Sequence, residues 1–223
     1  MTSQHGFFVT GTDTGVGKTA VALGLMHHLQ VQGDRVAGMK PVASGCEPAP
    51  SGLRNADALQ LLRQSSVAME YALINPYAFA PAIAPHIAAQ QAGVRIELDT
   101  ILSAYAQIAG QVDRVVVEGV GGWQVPLNER DTLADLARKL ELPVILVVGM
   151  RLGCLNHALL SAAAISHAGL QLAGWVANRL PPEPDCVEEN INTLESRLSA
   201  PLLGIVPVLD TPGASETAEH LAV

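Results

Sequence analysis

The chain is poor in positive charge and in cysteine. Its 13 lysines and arginines face 21 aspartates and glutamates, which gives a net charge of −8. Binding along a nucleic-acid backbone needs a surplus of lysine and arginine on one face, so we expect no nucleic-acid partner. The three cysteines, Cys46, Cys154 and Cys186, are widely spaced and form no CxxC pair. This spacing argues against a disulfide framework and a zinc site, and we expect reduced thiols.

The sequence also lacks a long apolar run. The longest one, Leu142–Met150, is interrupted by Pro143 and Gly149, whereas a membrane span needs ~20 apolar residues. The residues ahead of the first apolar strand, Met1–Gly6, show no basic stretch followed by an apolar segment, and so no secretory signal. We therefore expect a cytoplasmic protein that does not bind membranes.

The chain is instead rich in aliphatic residues, and these follow a regular pattern. Hydrophobic residues make up 49% of the chain and charged residues 15%, which is enough apolar material for a core on both faces of a sheet. Short apolar runs alternate with longer segments of helical period, as in repeated βαβ units. The predicted strands are Phe7–Thr10, Arg35–Met39, Arg114–Glu118, Val144–Val148, Leu172–Ala177 and Leu202–Val206. The predicted helices are Gly17–Gln32, Asp57–Gln64, Leu98–Gly110, Leu133–Leu140, Cys154–Ala168 and Val187–Leu198. We predict one α/β domain over residues 1–223, with a mostly parallel, doubly wound sheet and helices on both faces in three layers.

Two stretches do not fit this alternation. Pro41–Leu53 is rich in proline and glycine and directly follows the second strand, so we predict a long loop there. Long loops at the carboxyl ends of strands are often functional. Asn75–Pro85 contains three prolines and is predicted to be an irregular wall or a short strand. The tail beyond Asp210 matches no pattern.

A glycine-bearing turn, Gly11–Thr19, separates the first strand from the first helix. This context favours a phosphate-binding P-loop, in which backbone amides and the helix amino end attract phosphate oxygens. Lys18 would reach the terminal phosphates and the Thr19 hydroxyl could ligate magnesium. The match to GxxxxGK[ST] is imperfect, because Thr12 stands at the first glycine position and Gly11 comes one residue early.

Polar residues at other predicted strand ends complete the site. Glu118 ends a run of three valines and is a candidate magnesium ligand. Asp57 could bind the metal or cap a helix, and its spacing leaves both possibilities open. Asn178 ends another strand and carries an amide that could pair with adenine. The next residue, Arg179, does not continue an NKxD guanine motif, so ATP is favoured over GTP.

Taken together, several stretches match one family: Val9–Thr14, Val16–Thr19, Lys40–Gly45, Gly52–Asp57, Val117–Gly119, Gly121–Trp123, Leu152–His157 and Ala173–Asn178. The sequence resembles the dethiobiotin synthetase family along nearly its whole length, from Phe7 to about Leu209. That family belongs to the P-loop NTPase fold and carboxylates 7,8-diaminononanoate with CO2 at the expense of ATP. The resemblance implies ATP as co-substrate, magnesium as cofactor, and a homodimer with the substrate site at the subunit interface.

The resemblance also implies a role for particular residues. Lys40 and Lys18 are the expected catalytic residues, and Thr19, Asp57 and Glu118 the expected magnesium ligands. The residues expected to contact the nucleotide are Gly15, Val16, Gly17, Lys18, Thr19, Ala20, Asp57, Glu118, Gly119, Val120, Gly121, Asn178, Arg179, Pro207, Val208 and Leu209. The residues expected to bind the substrate are Thr14, Lys40, Ser44, Gly153, Cys154 and Asn156, of which Ser44 would contact the diamine or its carbamate. Gly153, Cys154 and Asn156 begin a helix whose amino end would bind the carboxylate of the substrate held by the partner subunit. The family's loop sometimes carries an acidic residue where this chain has Gly15, which removes one side-chain contact.

One alternative of another class is an ATP-dependent dimerising switch of the partitioning-ATPase type, which shares the fold. Such proteins usually carry a second lysine early in the loop, where this chain has Asp13. They also tend to have a basic face or an amphipathic terminal helix, and the sequence shows neither. The enzyme is therefore the favoured interpretation.

Overall fold

A six-stranded sheet forms the centre of the computed structural model, which describes residues 6–182, 185–209 and 213–222. The strands are β1 (Gly6–Gly11), β2 (Val36–Met39), β3 (Val42–Ser44), β4 (Glu47–Ala49), β5 (Gly52–Arg54), β6 (Tyr77–Phe79), β7 (Arg114–Glu118), β8 (Val144–Met150), β9 (Leu172–Arg179) and β10 (Leu202–Val206). The helices are α1 (Lys18–Val31), α2 (Ala56–Gln64), α3 (Tyr71–Ile74), α4 (Pro85–Gln91), α5 (Leu98–Ala109), α6 (Leu133–Leu140), α7 (Cys154–His167), α8 (Val187–Arg197) and α9 (Ala214–Ala218).

The central sheet is parallel throughout, in the order β10-β9-β8-β1-β7-β2. Parallel strands end at the same edge of a sheet, which we call the carboxyl edge. β1 lies between β7 and β8, and its register places Val9 beside Glu118 and Gly11 beside Val147. Chain segments that leave β1, β2 and β7 are therefore neighbours at this edge, where ligands bind in open α/β sheets.

Strand β8 shows how both faces of the sheet are covered. All of its residues are buried, and from Ile145 to Val148 their side chains alternate between two apolar clusters. Ile145 and Val147 belong to the larger cluster, whereas Leu146 and Val148 belong to a second one with Trp175. Successive side chains of a strand point to opposite faces, so a continuous apolar run is what a sheet covered on both sides requires.

The predicted fold class and its regular elements are confirmed. All six predicted strands are present in the central sheet, with ends that differ by at most two residues from the prediction. The six predicted helices match to within one residue at each end. The agreement follows from length and pattern, because long segments of one period have few alternative structures.

The prediction of a long loop over Pro41–Leu53 was wrong. This stretch holds β3 and an antiparallel pair of strands, β4 and β5. Pro48 is tolerated in β4 because two paired strands leave one side of each without a neighbour, and an outward-facing position needs no N–H donor. The stretch Asn75–Pro85 contains β6, which pairs in parallel with β3, so the predicted short strand is present.

Three short helices were not predicted: α3, α4 and α9, none longer than seven residues. Segments of this length contain too few turns for a helical period to be visible. Asp210, where the unassigned tail begins, lies outside the described residues. Farther along the tail, α9 packs on α1 so closely that a Cβ at Gly24 would lie 2.8 Å from Thr217 Cγ2. Within the described ranges, no helix is long and apolar enough to cross a membrane.

Candidate functional site

The predicted site residues meet at the carboxyl edge of the sheet. The loop after β1 leads into α1, Lys40 directly follows β2, and Glu118 is the last residue of β7. A cleft of about 730 Å³ opens over these strand ends. Seven of the polar and charged residues predicted to act in the site line this cleft, namely Thr14, Lys18, Thr19, Lys40, Ser44, Asp57 and Glu118, whereas Asn156, Asn178 and Arg179 do not.

The phosphate loop is shaped by two glycines in the left-handed region, Gly15 with φ +73° and Gly17 with φ +88°. Gly17 is also the N-cap of α1, and no side chain caps that helix. The first amides of α1 are therefore available to an anion, which the helix dipole also attracts. A Cβ on Gly17 would lie 2.1 Å from Asn178 Nδ2, so only glycine fits here. The same Asn178 amide donates to the Val16 carbonyl at 2.9 Å and holds the loop against β9.

The early first glycine of the motif also has a structural reason. The chain folds back over the end of β1, and a Cβ on Gly11 would lie 2.6 Å from Val16 Cγ2 and 3.1 Å from Lys18 Cγ. The following residue, Thr12, continues the sheet contact, because its amide donates to the Val147 carbonyl at 3.0 Å. Glycine is therefore needed at position 11, at the end of β1, and not at position 12.

Lys18 lies across the phosphate loop and is buried. Its Nζ donates to the Asp13 carbonyl oxygen at 2.7 Å. Burial lowers the pKa of Lys18 to about 8, with a further contribution from the charge of Lys40. At neutral pH the group is therefore still mostly the ammonium, and an anion bound beside it would favour this form further.

Lys40 and Glu118 form a buried ion pair at the floor of the cleft. Lys40 Nζ also donates to Asp57 Oδ2 at 3.1 Å, and Thr19 Oγ1 donates to Glu118 Oε1 at 2.9 Å. Burial by itself would lower the pKa of Lys40, but the charges of Glu118 and Asp57 outweigh it and the pKa is raised. Lys40 is thus a fixed positive charge throughout the neutral range.

The donor set at Glu118 fits a magnesium ion. Glu118 Oε2 is buried and has no hydrogen-bond partner, although a buried carboxylate oxygen normally has one. Magnesium is commonly held by one or two carboxylates, water and substrate phosphates, and the Thr19 hydroxyl and Asp57 carboxylate offer further oxygens. The described residues contain no group of three His, Cys, Asp or Glu side chains arranged for a metal. The phosphates and water would therefore complete the coordination.

The question of whether Asp57 caps a helix is answered by α2. Its N-cap is Asn55, whose Oδ1 accepts the Ala58 amide at 3.1 Å. Asp57 is the second residue of the helix, so its carboxylate is free of capping and faces Lys40. Asn55 also lines the cleft and was missed as a site residue, although an asparagine before a helical period is a recognisable cap signal.

The predicted substrate residues divide into two groups. Ser44 ends β3 and lines the cleft, and its Oγ is buried without a partner. Gly153, Cys154 and Asn156 begin α7 and do not line this cleft. The Cys154 side chain is buried in the second apolar cluster, so only the backbone at this position could meet a ligand.

The residues that were predicted to contact the adenine lie at the end of the carboxyl edge formed by β9 and β10. The register places Asn178 beside Val206, so Pro207, Val208 and Leu209 leave the sheet next to it. Arg179 donates to the Glu188 carboxylate of α8. Three further predicted residues, 119–121, directly follow β7. Val120 and Gly121 line the cleft, and the Gly119 carbonyl accepts a long hydrogen bond from Lys40 at 3.5 Å. Ala20 lies in the first turn of α1.

The apolar wall of the cleft lies in the stretch Asn75–Pro85, which was predicted as an irregular wall or a short strand but was not connected with the site, because residues that offer only shape carry no motif. It is formed by residues 82–84, between β6 and α4, together with Pro85 of α4 and Val125. Ile83 is 39% exposed within this wall. An apolar wall facing buried charges suits a ligand that has both an apolar chain and polar groups.

The parallel sheet, the glycine-bearing loop with Lys18 and the buried acid of β7 define a P-loop nucleoside-triphosphate-binding protein. A family model described as an AAA domain (AAA_26) matches residues 5–215. The ATP-dependent dethiobiotin synthetase BioD of Pseudomonas aeruginosa (strain UCBPP-PA14) is 56% identical over 216 residues, which cover 96% of this chain and 95% of that protein. The BioD protein of Xanthomonas euvesicatoria pv. vesicatoria (strain 85-10) is 52% identical over 217 residues, which cover 97% and 96%. The chain belongs to the ATP-dependent dethiobiotin synthetase family.

Solved structures that resemble the chain are more distant. A ParA family ATPase from Chlorobium tepidum TLS matches with a TM-score of 0.58 at 12% identity, and the match covers 98% of both chains. The MinD cell division protein of Aquifex aeolicus matches with a TM-score of 0.57 at 14% identity, covering 97% of this chain and 87% of that one. At such low identity these matches show a shared fold only.

Proposed function

We propose that this protein makes dethiobiotin from 7,8-diaminononanoate, CO2 and ATP, releasing ADP and phosphate, as an ATP-dependent cyclo-ligase of biotin biosynthesis. The observation that carries the proposal is the identity of 56% over 96% of the chain to a dethiobiotin synthetase. The cleft supports it, because two lysines, two carboxylates and a serine hydroxyl without a hydrogen-bond partner line one space of about 730 Å³.

The chemistry requires two anions to approach each other. One amine of the substrate takes up CO2 as a carbamate, and a carbamate oxygen then attacks the terminal phosphorus of ATP while the bond to ADP breaks. Lys18 reaches the phosphates from the start of α1, and Lys40 rises from the floor of the same cleft. Fixed positive charge at this place stabilises the charge that develops during phosphoryl transfer.

Ring closure follows inside the same molecule. The second amine attacks the carbonyl carbon of the carbamic-phosphoric anhydride, loses a proton and expels phosphate, which forms the cyclic urea. Both amines belong to one substrate, so proximity makes this step intramolecular. Ser44 and Thr14 line the cleft and supply hydroxyls that can hold the diamine or the carbamate while the ring closes.

Lys40 is suited to its role because its position is fixed before the substrates arrive. Its ammonium is buried and has hydrogen bonds to Glu118 and Asp57. A preorganised charge of this kind needs no reorientation during the reaction. Magnesium, held by Thr19, Asp57 and Glu118 together with the phosphates, would neutralise part of the negative charge of ATP.

The same proposal includes the remaining contacts and the assembly. Asn178 contacts the phosphate loop through the Val16 carbonyl, and Arg179 and the stretch Pro207–Leu209 follow neighbouring positions of β9 and β10. We expect the adenine to bind on this side of the sheet. The amino end of α7 would receive the substrate carboxylate of a partner subunit in a homodimer, since a helix amino end suits an anion. The 223 residues would act as one catalytic domain in the cytoplasm.

The test is phosphate release by the purified protein with ATP, magnesium and bicarbonate, measured with and without 7,8-diaminononanoate. We expect release that depends on the diamine and equals the amount of cyclic urea found by mass spectrometry. Phosphate release that does not depend on the diamine, or no cyclic urea, would refute the proposal and favour an ATP-dependent switch. Radiolabelled bicarbonate supplies the control, because the label must appear in the urea carbonyl.

A further inference from the structure

The phosphate loop carries a carboxylate, Asp13, whose side chain is tied to a distant part of the chain. Asp13 accepts hydrogen bonds at three atoms: Oδ1 from the Thr14 amide at 2.7 Å, the carbonyl from Lys18 Nζ at 2.7 Å, and Oδ2 from the Arg151 guanidinium. Arg151 directly follows β8, three residues before α7 begins. The contact therefore connects the loop that would hold the phosphates with the connection between β8 and α7.

A carboxylate at this place is unfavourable for binding a triphosphate. The carbonyl of Asp13 accepts a hydrogen bond from the ammonium of Lys18, and the next two residues, Thr14 and Gly15, line the cleft, so the Asp13 carboxylate belongs to the loop that would hold the phosphates. The pKa of Asp13 is lowered, first by the Thr14 amide and also by Arg151, although burial opposes the shift. The group is thus an anion at neutral pH and would repel the phosphates of ATP if it were unpaired.

Counting the charges of the cleft makes the role of Arg151 clear. Two ammonium groups, Lys18 and Lys40, stand beside two carboxylates of the cleft, Asp57 and Glu118. Asp13 would add a third negative charge, and Arg151 is the cation that offsets it. Without Arg151, the electrostatic potential at the phosphate loop becomes more negative and less favourable for an anion.

Arg151 also lies close enough to the phosphate loop for its charge to act on a nucleotide bound there. A second cleft of about 610 Å³ lies beside the loop and is lined by Thr14, Gly15, Arg151, Leu152 and residues 180–182. Thr14 and Gly15 line both clefts, so the loop forms the wall between them. The Arg151 and Asp13 side chains are 45% and 48% exposed, so both charges are only partly in contact with solvent.

We propose that Arg151 is a positioning residue for nucleotide binding, which acts through Asp13 by neutralising the carboxylate of the phosphate loop. The inference rests on the proposed nucleotide site. It concerns affinity for the nucleotide and not the chemical steps, since Arg151 does not line the main cleft. The interaction is electrostatic, so it depends on the charge of Asp13 and weakens at high salt.

The test compares ATP binding by the wild type and three variants, measured by direct titration with Mg-ATP without diamine. Arg151→Met leaves Asp13 unpaired and should weaken binding about fivefold at low salt. Asp13→Asn can keep the Thr14 hydrogen bond without the charge, and should bind at least as tightly as the wild type. The double variant D13N/R151M should return to within about twofold of the wild type. At 0.5 M salt the differences should shrink, because exposed charges are screened.

The matched control is the exposed pair of Arg35 and Asp113, joined at 2.9 Å with side chains that are 60% and 44% exposed. It lies before β2 and β7, at the opposite edge of the sheet. Arg35→Met should leave ATP binding unchanged. Arg151→Gln provides a second neutral variant, and thermal unfolding verifies that each variant is folded.

Two outcomes would overturn the proposal. The first is wild-type affinity in both neutral Arg151 variants. The second is equal weakening by D13N and R151M with no recovery in the double variant, as expected if the contact served only as a mechanical tether. Because the titration contains no diamine, failure here is distinct from failure of the proposed reaction, which would appear as absence of the cyclic urea.

Discussion

Replacement of Lys40 by methionine tests the centre of the site most directly. The substitution removes the ammonium but keeps most of the length and volume of the side chain. Glu118 is 1% exposed, so its charge would lose its buried counterion and keep only the Thr19 hydroxyl as a partner. Asp57 is 39% exposed and can be solvated, so its loss of a partner matters less.

The expected magnitude follows from these exposures. Breaking a buried ion pair by removing one partner destabilises a protein by about 3–5 kcal/mol, and the remaining Thr19 hydrogen bond places this case near 3 kcal/mol. For a chain of 223 residues, a loss of this size lowers Tm by about 6–12 °C. Turnover should fall at least about 10³-fold, because a preorganised charge is lost from the transition state.

The assay combines thermal unfolding by circular dichroism with diamine-dependent phosphate release. Lys139→Met is the matched control, since this lysine is 51% exposed and lies 4.0 Å from Asp99, away from the cleft. It should change neither quantity. If Lys40→Met kept wild-type turnover, the catalytic role of Lys40 would be refuted. If its Tm did not change, the reasoning about a buried, uncompensated Glu118 would be wrong.

Three further predictions concern the phosphate loop and the metal. The pKa of Lys18 is about 8, and bound phosphates would favour its ammonium form. ATP binding at pH 8 should therefore take up about half a proton, and the affinity for ATP should fall as the pH rises further. Calorimetry in buffers of different ionisation enthalpy measures this proton uptake. Proton release or none would contradict this. Glu118→Gln should raise the magnesium concentration for half-maximal activity more than about tenfold, and an unchanged metal requirement would exclude Glu118 as a ligand. Gly17→Ala should weaken ATP binding about tenfold more than Gly15→Ala. Both residues have a positive φ, but only a Cβ on Gly17 would meet Asn178, at 2.1 Å. Equal effects of the two substitutions would show that the close approach of Gly17 to Asn178 is unimportant for ATP binding.

Much of the fold could be predicted because its elements are long and strongly patterned. The all-buried strand β8 stands out in the sequence by its composition, and the helix α5, which spans Leu98–Ala109, stands out by its apolar period. The parts that were missed are short or depend on distant partners. Strand β3 consists of three residues and exists because β6 pairs with it from more than thirty positions away.

The candidate site shows the same division. Lys18, Lys40, Asp57 and Glu118 were found by motif and resemblance, and all four line one cleft. The contact of Asp13 with Arg151 was not found, because the two residues are 138 positions apart and neither belongs to a motif with the other. The bond from the Asn178 amide to the Val16 carbonyl was missed for the same reason, at a separation of 162 positions.

The sequence by itself determined the six strands of the central sheet, the six longer helices and the place of the phosphate loop, because apolar period and glycine spacing act over a few residues. Only the tertiary structure decided that β7 lies between β1 and β2, which brings Glu118 to both Thr19 and Lys40. Strand order depends on how whole faces pack together, and no local pattern specifies it. The burial that lowers the pKa of Lys18 and the charges that raise the pKa of Lys40 are properties of the assembled sheet edge.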